Sequence, residues 1–137
     1  LDVLHDEGDV EWNPSDYAHH LSRRARGLPV WFSLATYGTN AYSDAVDVTL
    51  DVTLAGADRI RDAEHLELIL EPELSILLFR RKGWDEKQYD AWCDQMLKRG
   101  KAFITPTKWE GDTVLRLCIV NPRTTIEDIE MIIQELA

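Results

Sequence analysis

The sequence has little of what metal sites, disulfide frameworks and nucleic-acid interfaces require. It contains two cysteines, Cys93 and Cys118, without a CxxC pair, and its four histidines show no HExxH spacing. We therefore expect no metal and two reduced thiols in the core. Lysines and arginines number 15 against 25 acidic residues, for a formal net charge of −10. This balance argues against nucleic acid or an anionic membrane as a partner, because both need clustered basic residues.

Targeting, membrane and catalytic motifs are also missing. The sequence has no signal peptide and no apolar run of about 18 residues, which predicts a soluble, cytoplasmic chain. It has no GxSxG, P-loop or GxGxxG motif, and we assign no catalytic residue from it. It begins at Leu1 in irregular sequence, which we interpret as a piece of a longer protein.

What is present is enough apolar sequence for one folded domain. Hydrophobic residues make up 45% of the sequence, sufficient for a core. Residues 1–16 lack periodicity and predict a loop, followed by a short turn or helix around 16–26. The apolar segment from Val30 to Tyr37 ends at Gly38. A helix is predicted from about Asn40 to Ala63, because apolar residues recur there at helical spacing: Ala41, Ala45, Val48, Val52 and Ala55.

From residue 64 the pattern changes to strands and shorter helices. Asp85 and a Thr124/Glu127 capping box mark the starts of two amphipathic helices. The order β-β-α-β-β-α predicts a two-layer α/β sandwich with a mainly antiparallel sheet, covered on one face by two helices. The strands of this sheet are predicted at 66–70, 75–81, 102–107 and 113–120, the last two joined by a hairpin turn at 110–112.

An arginine interrupts the last of these strands. Arg116 lies within the apolar run from Val114 to Val120, and alternation places it on the same face of the strand as Val114 and Cys118. A guanidinium stays charged at any accessible pH and needs partners when it leaves water. Arg116 is therefore either a structural ion-pair partner of a nearby carboxylate or a receptor that binds an anionic group through two hydrogen bonds.

Other polar features give weaker predictions. The arginines at 23, 24 and 26 form either a solvated or ion-paired turn or a phosphate site, although no glycine-rich cradle adjoins them. We expect the histidines at 5, 19, 20 and 65 to be surface residues. Trp92 belongs to the core by its helical phase, and Trp109 at the hairpin tip is expected to be exposed or at an interface.

Three ordered blocks of the sequence form a further pattern: Ser22 to Phe32, Tyr37-Gly38-Thr39 before the long helix, and Val114-Leu115-Arg116 through Asn121-Pro122. Together these blocks resemble group II amino-acid decarboxylases that depend on pyridoxal phosphate. The resemblance covers about residues 15 to 137 and includes glutamate, aromatic amino-acid and diaminobutyrate decarboxylases. It implies the C-terminal small domain of a fold-type-I enzyme, with residues 1–63 as the end of the large domain, arginine-rich turn and linking helix, and residues 64–137 as the small α/β domain.

The resemblance also implies roles. Arg116 would bind the α-carboxylate of an L-amino-acid substrate. Pyridoxal phosphate would be bound mainly by the large domain, through a lysine that follows a histidine. None of the lysines of this sequence has that context, so its cofactor-binding residues are unknown and the chain alone is expected to be inactive: Lys82, Lys87, Lys98, Lys101 and Lys108. Removal of the carboxylate as CO2 would be the reaction of the longer enzyme, and the sequence does not name the substrate side chain.

Further expectations concern assembly and a missing tyrosine. Fold-type-I enzymes are dimers, so the resemblance implies a homodimer. Many family members carry a catalytic tyrosine on a loop before the arginine-rich turn, and the comparable place here is near Val3. Two other interpretations stay open: a stand-alone regulatory module that binds a free amino acid at Arg116, and a dimerisation piece that associates through the apolar segment Val30 to Tyr37.

Overall fold

The predicted order of strands and helices after residue 64 is confirmed in the computed structural model, which describes residues 24–137. The predictions for Val3, Arg23 and the histidines at 5, 19 and 20 lie outside these residues. The elements are α1 Leu28–Asp62, β1 Leu66–Leu70, β2 Ile76–Arg81, α2 Glu86–Lys98, β3 Pro106–Trp109, β4 Asp112–Cys118 and α3 Ile126–Glu135. The strands form one sheet in the order β1-β2-β4-β3, and every neighbouring pair is antiparallel.

Gly38 interrupts α1, as the sequence predicts. Its backbone has φ 78° and ψ 164°, a conformation that glycine adopts readily because it has no Cβ. The chain divides at this residue into two compact units, Leu1–Gly38 and Thr39–Ala137. The predicted boundary between a large-domain part and a small domain at residues 63 and 64 stays a prediction.

The capping residues that the sequence predicts agree with the structure for α2 and differ by one residue for α3. Asp85 caps α2 as predicted, because its carboxylate accepts a hydrogen bond from the backbone N–H of Gln88 at 2.9 Å. The capping box of α3 is one residue later than predicted. Thr125 is its N-cap, and its backbone N–H donates to Asp128 Oδ2 at 2.9 Å. Adjacent threonines each precede an acidic residue by three positions, so the capping signature alone fits both registers.

The hairpin between β3 and β4 turns at the predicted place. Glu110 and Gly111 both have positive φ, 50° and 92°, as a two-residue type I′ turn requires. The prediction that β3 begins at residue 102 is wrong, since pairing with β4 starts at Pro106. Ile104 is nevertheless buried, so its apolar character reflects burial in the core rather than strand pairing.

The core lies between one face of the sheet and the helices. The amphipathic spacing predicts apolar faces for α2 (Tyr89, Trp92, Cys93, Met96 and Leu97) and α3 (Ile126, Ile129, Ile132, Ile133 and Leu136), and these are buried there, except that Leu97 is exposed and Ile126 is only half-buried. The largest fully buried side chains of this core are Tyr89, Phe79, Ile60, Leu77, Met96, Leu115, Ile129 and Leu136.

The C-terminal half of α1 adds a third helix to this core, through a face that only partly overlaps the predicted one: Val52 of the predicted stripe packs against the core, but the fully buried residues are others. Val48, a member of the predicted stripe, is 42% exposed. Hydroxyl groups reach this buried face because they bond within the helix: Thr53 Oγ1 donates to the Thr49 carbonyl at 2.7 Å. The residues of α1 that are buried are Thr49, Thr53, Gly56, Ala57 and Ile60.

Glycine at position 56 lets α1 approach the sheet closely. A Cβ there would lie 2.9 Å from Leu77 Cδ1 and 3.3 Å from Ile129 Cγ2. Overpacking costs about 1–3 kcal/mol and the better helix propensity of alanine offsets about 0.5–1 kcal/mol of it, so we expect Gly56→Ala to lower the free energy of unfolding by about 1–2 kcal/mol, measured by urea denaturation. Gly27→Ala is the control, because no atom lies within 4 Å of a Cβ there. Equal stability of the wild type and Gly56→Ala would contradict this packing.

Glu135 joins the end of α2 to α3. Its carboxylate pairs with Arg99 at 2.7 Å and with Lys101, and its backbone carbonyl accepts a hydrogen bond from Trp92 Nε1 at 2.9 Å. The hydrogen bonds from Lys101 and Arg99 lower the pKa of the Glu135 carboxyl. A lowered pKa means that the ionised form is favoured by folding.

The stability that Glu135 contributes should therefore depend on pH. It is fully present above the unfolded pKa of glutamate, about 4.3, and is lost as the pH falls through the lowered pKa of the folded state. We expect Glu135→Gln to be less stable than wild type at pH 7 and the difference to shrink below about pH 4. Glu64→Gln is the control, since the Glu64 side chain has no ion pair within residues 24–137. A difference that stays constant with pH would contradict the pairing.

The two cysteines differ in exposure. Cys93 is buried, as predicted, and burial raises the pKa of its thiol to about 11. The prediction that Cys118 lies in the core is wrong: it is exposed, because strand alternation turns it to the opposite face of the sheet from Leu117 and Ile119.

We expect one thiol of the folded protein to react quickly with Ellman's reagent, and a second only after denaturation. Cys118→Ser should abolish the fast reaction, and Cys93→Ser should leave it unchanged. Fast reaction of both thiols in the native protein would contradict this assignment.

Candidate functional site

The face of the sheet opposite the main core carries the candidate site. Alternation places Ile76, Leu78 and Arg80 of β2 on this face, beside Arg116 of β4, and Leu78 pairs directly with Arg116 across the two strands. Leu78 and Val114 are buried but lie outside the main core cluster. We call this the second face of the sheet: Ile76, Leu78, Arg80, Thr107, Trp109, Asp112, Val114, Arg116 and Cys118.

Arg116 is exposed and borders a groove on this second face. The groove has a volume of about 510 Å³ and runs from the end of β1 and the loop after it to β3. Its lining, which includes Arg116, is mostly apolar, and we call it the Arg116 groove. Its apolar lining residues are Leu70, Pro72, Leu74, Ile76, Leu78 and Trp109.

The side chain of Arg116 has no ion pair or hydrogen bond within residues 24–137. Five of the six other arginines in the unit Thr39–Ala137 are bound to carboxylates or carbonyls, and the exception is Arg123, whose side chain also has no partner within residues 24–137. Arg59 pairs with Glu130 at 2.6 Å, and Arg99 pairs with Glu135 at 2.7 Å. Arg61 contacts Asp58 and Glu71, and the guanidinium of Arg81 donates to backbone carbonyls that include that of Leu136 at 2.6 Å. Of the two interpretations of Arg116, the absence of a carboxylate partner in this part of the chain favours the anion receptor.

Arg80, on the same face, serves as a comparison. It binds Glu67 at 2.8 Å and Asp112 at 3.1 Å. The hydrogen bond from Arg80 lowers the pKa of the Glu67 carboxyl. Its charge is therefore matched by carboxylates of the same sheet. Arg116 lies on β4 opposite Leu78, which is two residues from Arg80 on β2. Its guanidinium is available to bind a ligand.

A second cavity lies on the other side of Arg116. It has a volume of about 320 Å³ and is bordered by Phe103, Cys118, Thr124 and Asp128 together with Arg116. The exposed thiol of Cys118 therefore lies in a cavity that the candidate ligand-binding arginine also borders. Strand spacing predicts that the two residues share a face, and the structure confirms it.

The residues that line the groove around Arg116 are the part of the site that the sequence does not predict. Ile76 and Leu78 follow from β2 alternation once β2 is paired with β4, because directly opposite residues in an antiparallel pair share a face. Leu74 lies in the loop after β1, where no periodicity marks it. The sequence predicts for Trp109 only a place at the hairpin tip, and the residue is 40% exposed at the groove.

The described residues do not fit pyridoxal phosphate on their own. All five lysines are exposed. Lys82 Nζ donates to the Glu64 carbonyl at 2.8 Å, Lys101 pairs with Glu135, and Lys108 pairs with Glu86 at 3.0 Å. A lysine that holds this cofactor covalently has to lie in a pocket that also binds the ring and phosphate. No step of a reaction is therefore assigned to the cofactor on these residues.

The remaining polar candidates from the sequence are the arginines of the arginine-rich turn and His65. Arg24 and Arg26 are exposed. His65 is half-buried, with Nε2 3.1 Å from the Ile133 carbonyl, so the prediction of a plain surface histidine is wrong for it. Within residues 24–137 no three His, Cys, Asp or Glu side chains are grouped to hold a metal ion. None of the helices described for this part of the chain has the length and apolar character to cross a bilayer.

Comparisons with known proteins find mostly amino-acid decarboxylases. No family model matches the chain. It is 28% identical over 137 residues to the aromatic-L-amino-acid decarboxylase of Bacillus atrophaeus, and 26% identical over 142 residues to the L-2,4-diaminobutyrate decarboxylase of Acinetobacter baumannii. These alignments cover 95% and 99% of this chain and 28% of each relative.

Solved structures agree with these relatives. The glutamate decarboxylase domain of a diaminobutyrate-pyruvate transaminase and L-2,4-diaminobutyrate decarboxylase from Vibrio parahaemolyticus matches with a TM-score of 0.74 at 33% identity, over 83% of this chain and 25% of that one. Mouse CSAD matches with a TM-score of 0.75 at 20% identity, over 97% of this chain and 31% of that one, a likeness of fold alone. The chain thus spans between a quarter and a third of the length of these proteins, and its resemblance to group II pyridoxal-phosphate-dependent amino-acid decarboxylases is confirmed.

Proposed function

We propose that this chain is the part of an amino-acid decarboxylase that supplies Arg116 to bind the α-carboxylate of an L-amino-acid substrate. The observation that carries this proposal is the state of Arg116: its guanidinium is exposed at an apolar groove and has no carboxylate partner within residues 24–137. The similarity to decarboxylases of aromatic amino acids and of diaminobutyrate supports the same class of reaction.

An arginine is suited to this role because its guanidinium can bind both oxygens of a carboxylate. Two parallel N–H donors fix the plane of the carboxylate as well as its position. That matters for decarboxylation, because the bond that breaks must be held in one orientation. The same contact also stabilises the carboxylate before it is lost, so the benefit of Arg116 comes from binding and orientation.

The cofactor, the assembly and the location belong to the longer protein that we propose carries this chain. Pyridoxal phosphate would supply the electron-accepting group that decarboxylation needs. We propose that it is held outside residues 24–137, that residues 1–63 complete a large domain and residues 64–137 form the small one, and that the enzyme is a cytoplasmic homodimer. Catalytic residues are assigned to the other parts of that enzyme.

A second candidate is a regulatory module that binds a free amino acid. One observation favours it: every residue that lines the Arg116 groove lies in the unit Thr39–Ala137. Amino-acid binding to the 137-residue chain without pyridoxal phosphate, together with absence of decarboxylation by any longer protein that contains it, would favour this candidate over the first.

We expect Arg116→Gln to lower kcat/KM for CO2 release by about tenfold or more in the decarboxylase that contains this chain. A hydrogen bond between charged groups contributes about 1.5–3 kcal/mol, and 1.4 kcal/mol corresponds to about tenfold. The kcat/KM of Arg116→Lys should lie between those of the wild type and Arg116→Gln, because lysine keeps the charge and loses the paired donors.

Arg123→Gln is the matched control, since Arg123 is also exposed and its side chain has no partner within residues 24–137. It lies outside the Arg116 groove and should leave kcat/KM unchanged. Equal losses in the two variants, or no loss in Arg116→Gln, would remove Arg116 from the substrate site.

A further inference from the structure

The side chains around Arg116 bear on which amino acid the site accepts. The apolar lining of the groove includes Ile76 and Leu78 of β2, Leu74 of the preceding loop and Trp109 of β3. Leu74 is 71% exposed and Ile76 is 44% exposed, so both have apolar area that a ligand can remove from water. The volume, about 510 Å³, lies within the range of about 300–1,000 Å³ that is typical of small-molecule sites.

Two of the four charged residues that line the groove are paired within the protein. Glu71 is held by Arg61 at 2.9 Å, and Lys108 is held by Glu86 at 3.0 Å. Within the described residues, Arg116 and Glu73 are the lining charges without a partner. Arg116 can bind a carboxylate, and no second cation is left for another one. Glu73 at the rim opposes a further negative charge.

From this arrangement we infer that the Arg116 groove selects L-amino acids with an apolar side chain and discriminates against acidic ones. This inference rests on the proposed role of Arg116 and adds the substrate class. The α-carboxylate binds the guanidinium, and the side chain covers Leu74 and Ile76 of the apolar lining. An acidic side chain in the same place would lose water without gaining a hydrogen-bond partner.

The test is a titration of the 15N-labelled 137-residue chain, followed by chemical shifts of residues 70–78 and 107–116. The probes are L-leucine, L-phenylalanine, L-glutamate and L-leucinamide, which lacks the carboxylate. We expect leucine and phenylalanine to bind at least about tenfold more tightly than glutamate and leucinamide, since apolar burial and the charged contact both contribute.

One variant and its control test the side-chain contact by itself. Leu74→Ser should reduce the preference for leucine over glutamate by about threefold or more, because part of the apolar lining is lost. Leu97→Ser is the control, since Leu97 is similarly exposed on α2 and does not line the groove. It should leave the preference unchanged.

The outcomes distinguish this inference from the proposed function. Equal affinities for leucine and glutamate that are both lost in Arg116→Gln would overturn the apolar preference and leave the role of Arg116 standing. Binding that is insensitive to Arg116→Gln would overturn both. Shifts confined to residues outside the groove, or no binding by any of the amino acids, would overturn the inference as well.

Discussion

The register between β2 and β4 is the constraint on which the candidate site depends. These central strands pair Leu77 with Leu117 and Phe79 with Leu115 toward the core, and Leu78 with Arg116 on the second face. A shift of one residue would exchange the faces and place the guanidinium among the buried side chains of the helices. Burying an unpaired charge in this way costs several kcal/mol. The apolar core therefore fixes the position of the arginine, although none of its members touches a ligand.

The helices enforce that register from the other side of the sheet. Gly56 brings α1 against Leu77 and Ile129, and Glu135 ties α3 to the end of α2 through Arg99 and Lys101. These contacts join α1 to β2 and α3, and α3 to the end of α2. The opposite face then carries Arg80, which is neutralised by Glu67 and Asp112, and Arg116, which has no partner in the described part of the chain. Two arginines of one face thus differ in what they can bind because of the carboxylates within their reach.

Much of this fold follows from local patterns in the sequence. The strand order, the Asp85 cap, the hairpin at Glu110-Gly111 and the faces of α2 and α3 depend on period, turn chemistry and capping. The buried face of α1 does not, because its members include threonines and a glycine that hydrophobic periodicity ignores. The side of the sheet that Arg116 occupies is predictable from alternation. Its freedom from ion pairs and the groove lining that Leu74 and Trp109 provide depend on tertiary packing, which no local pattern records.

The central claim, that the Arg116 guanidinium binds the α-carboxylate of an amino acid, is tested most directly by observing its Nε–H group in a 1H–15N spectrum. The resonance would be assigned from its loss in Arg116→Lys. The account predicts that it shifts on addition of L-leucine, stays in place with L-leucinamide, and that the paired Arg80 Nε–H is unaffected by both. An Arg116 resonance unmoved by the carboxylate, or one that responds equally to the amide, would contradict the account.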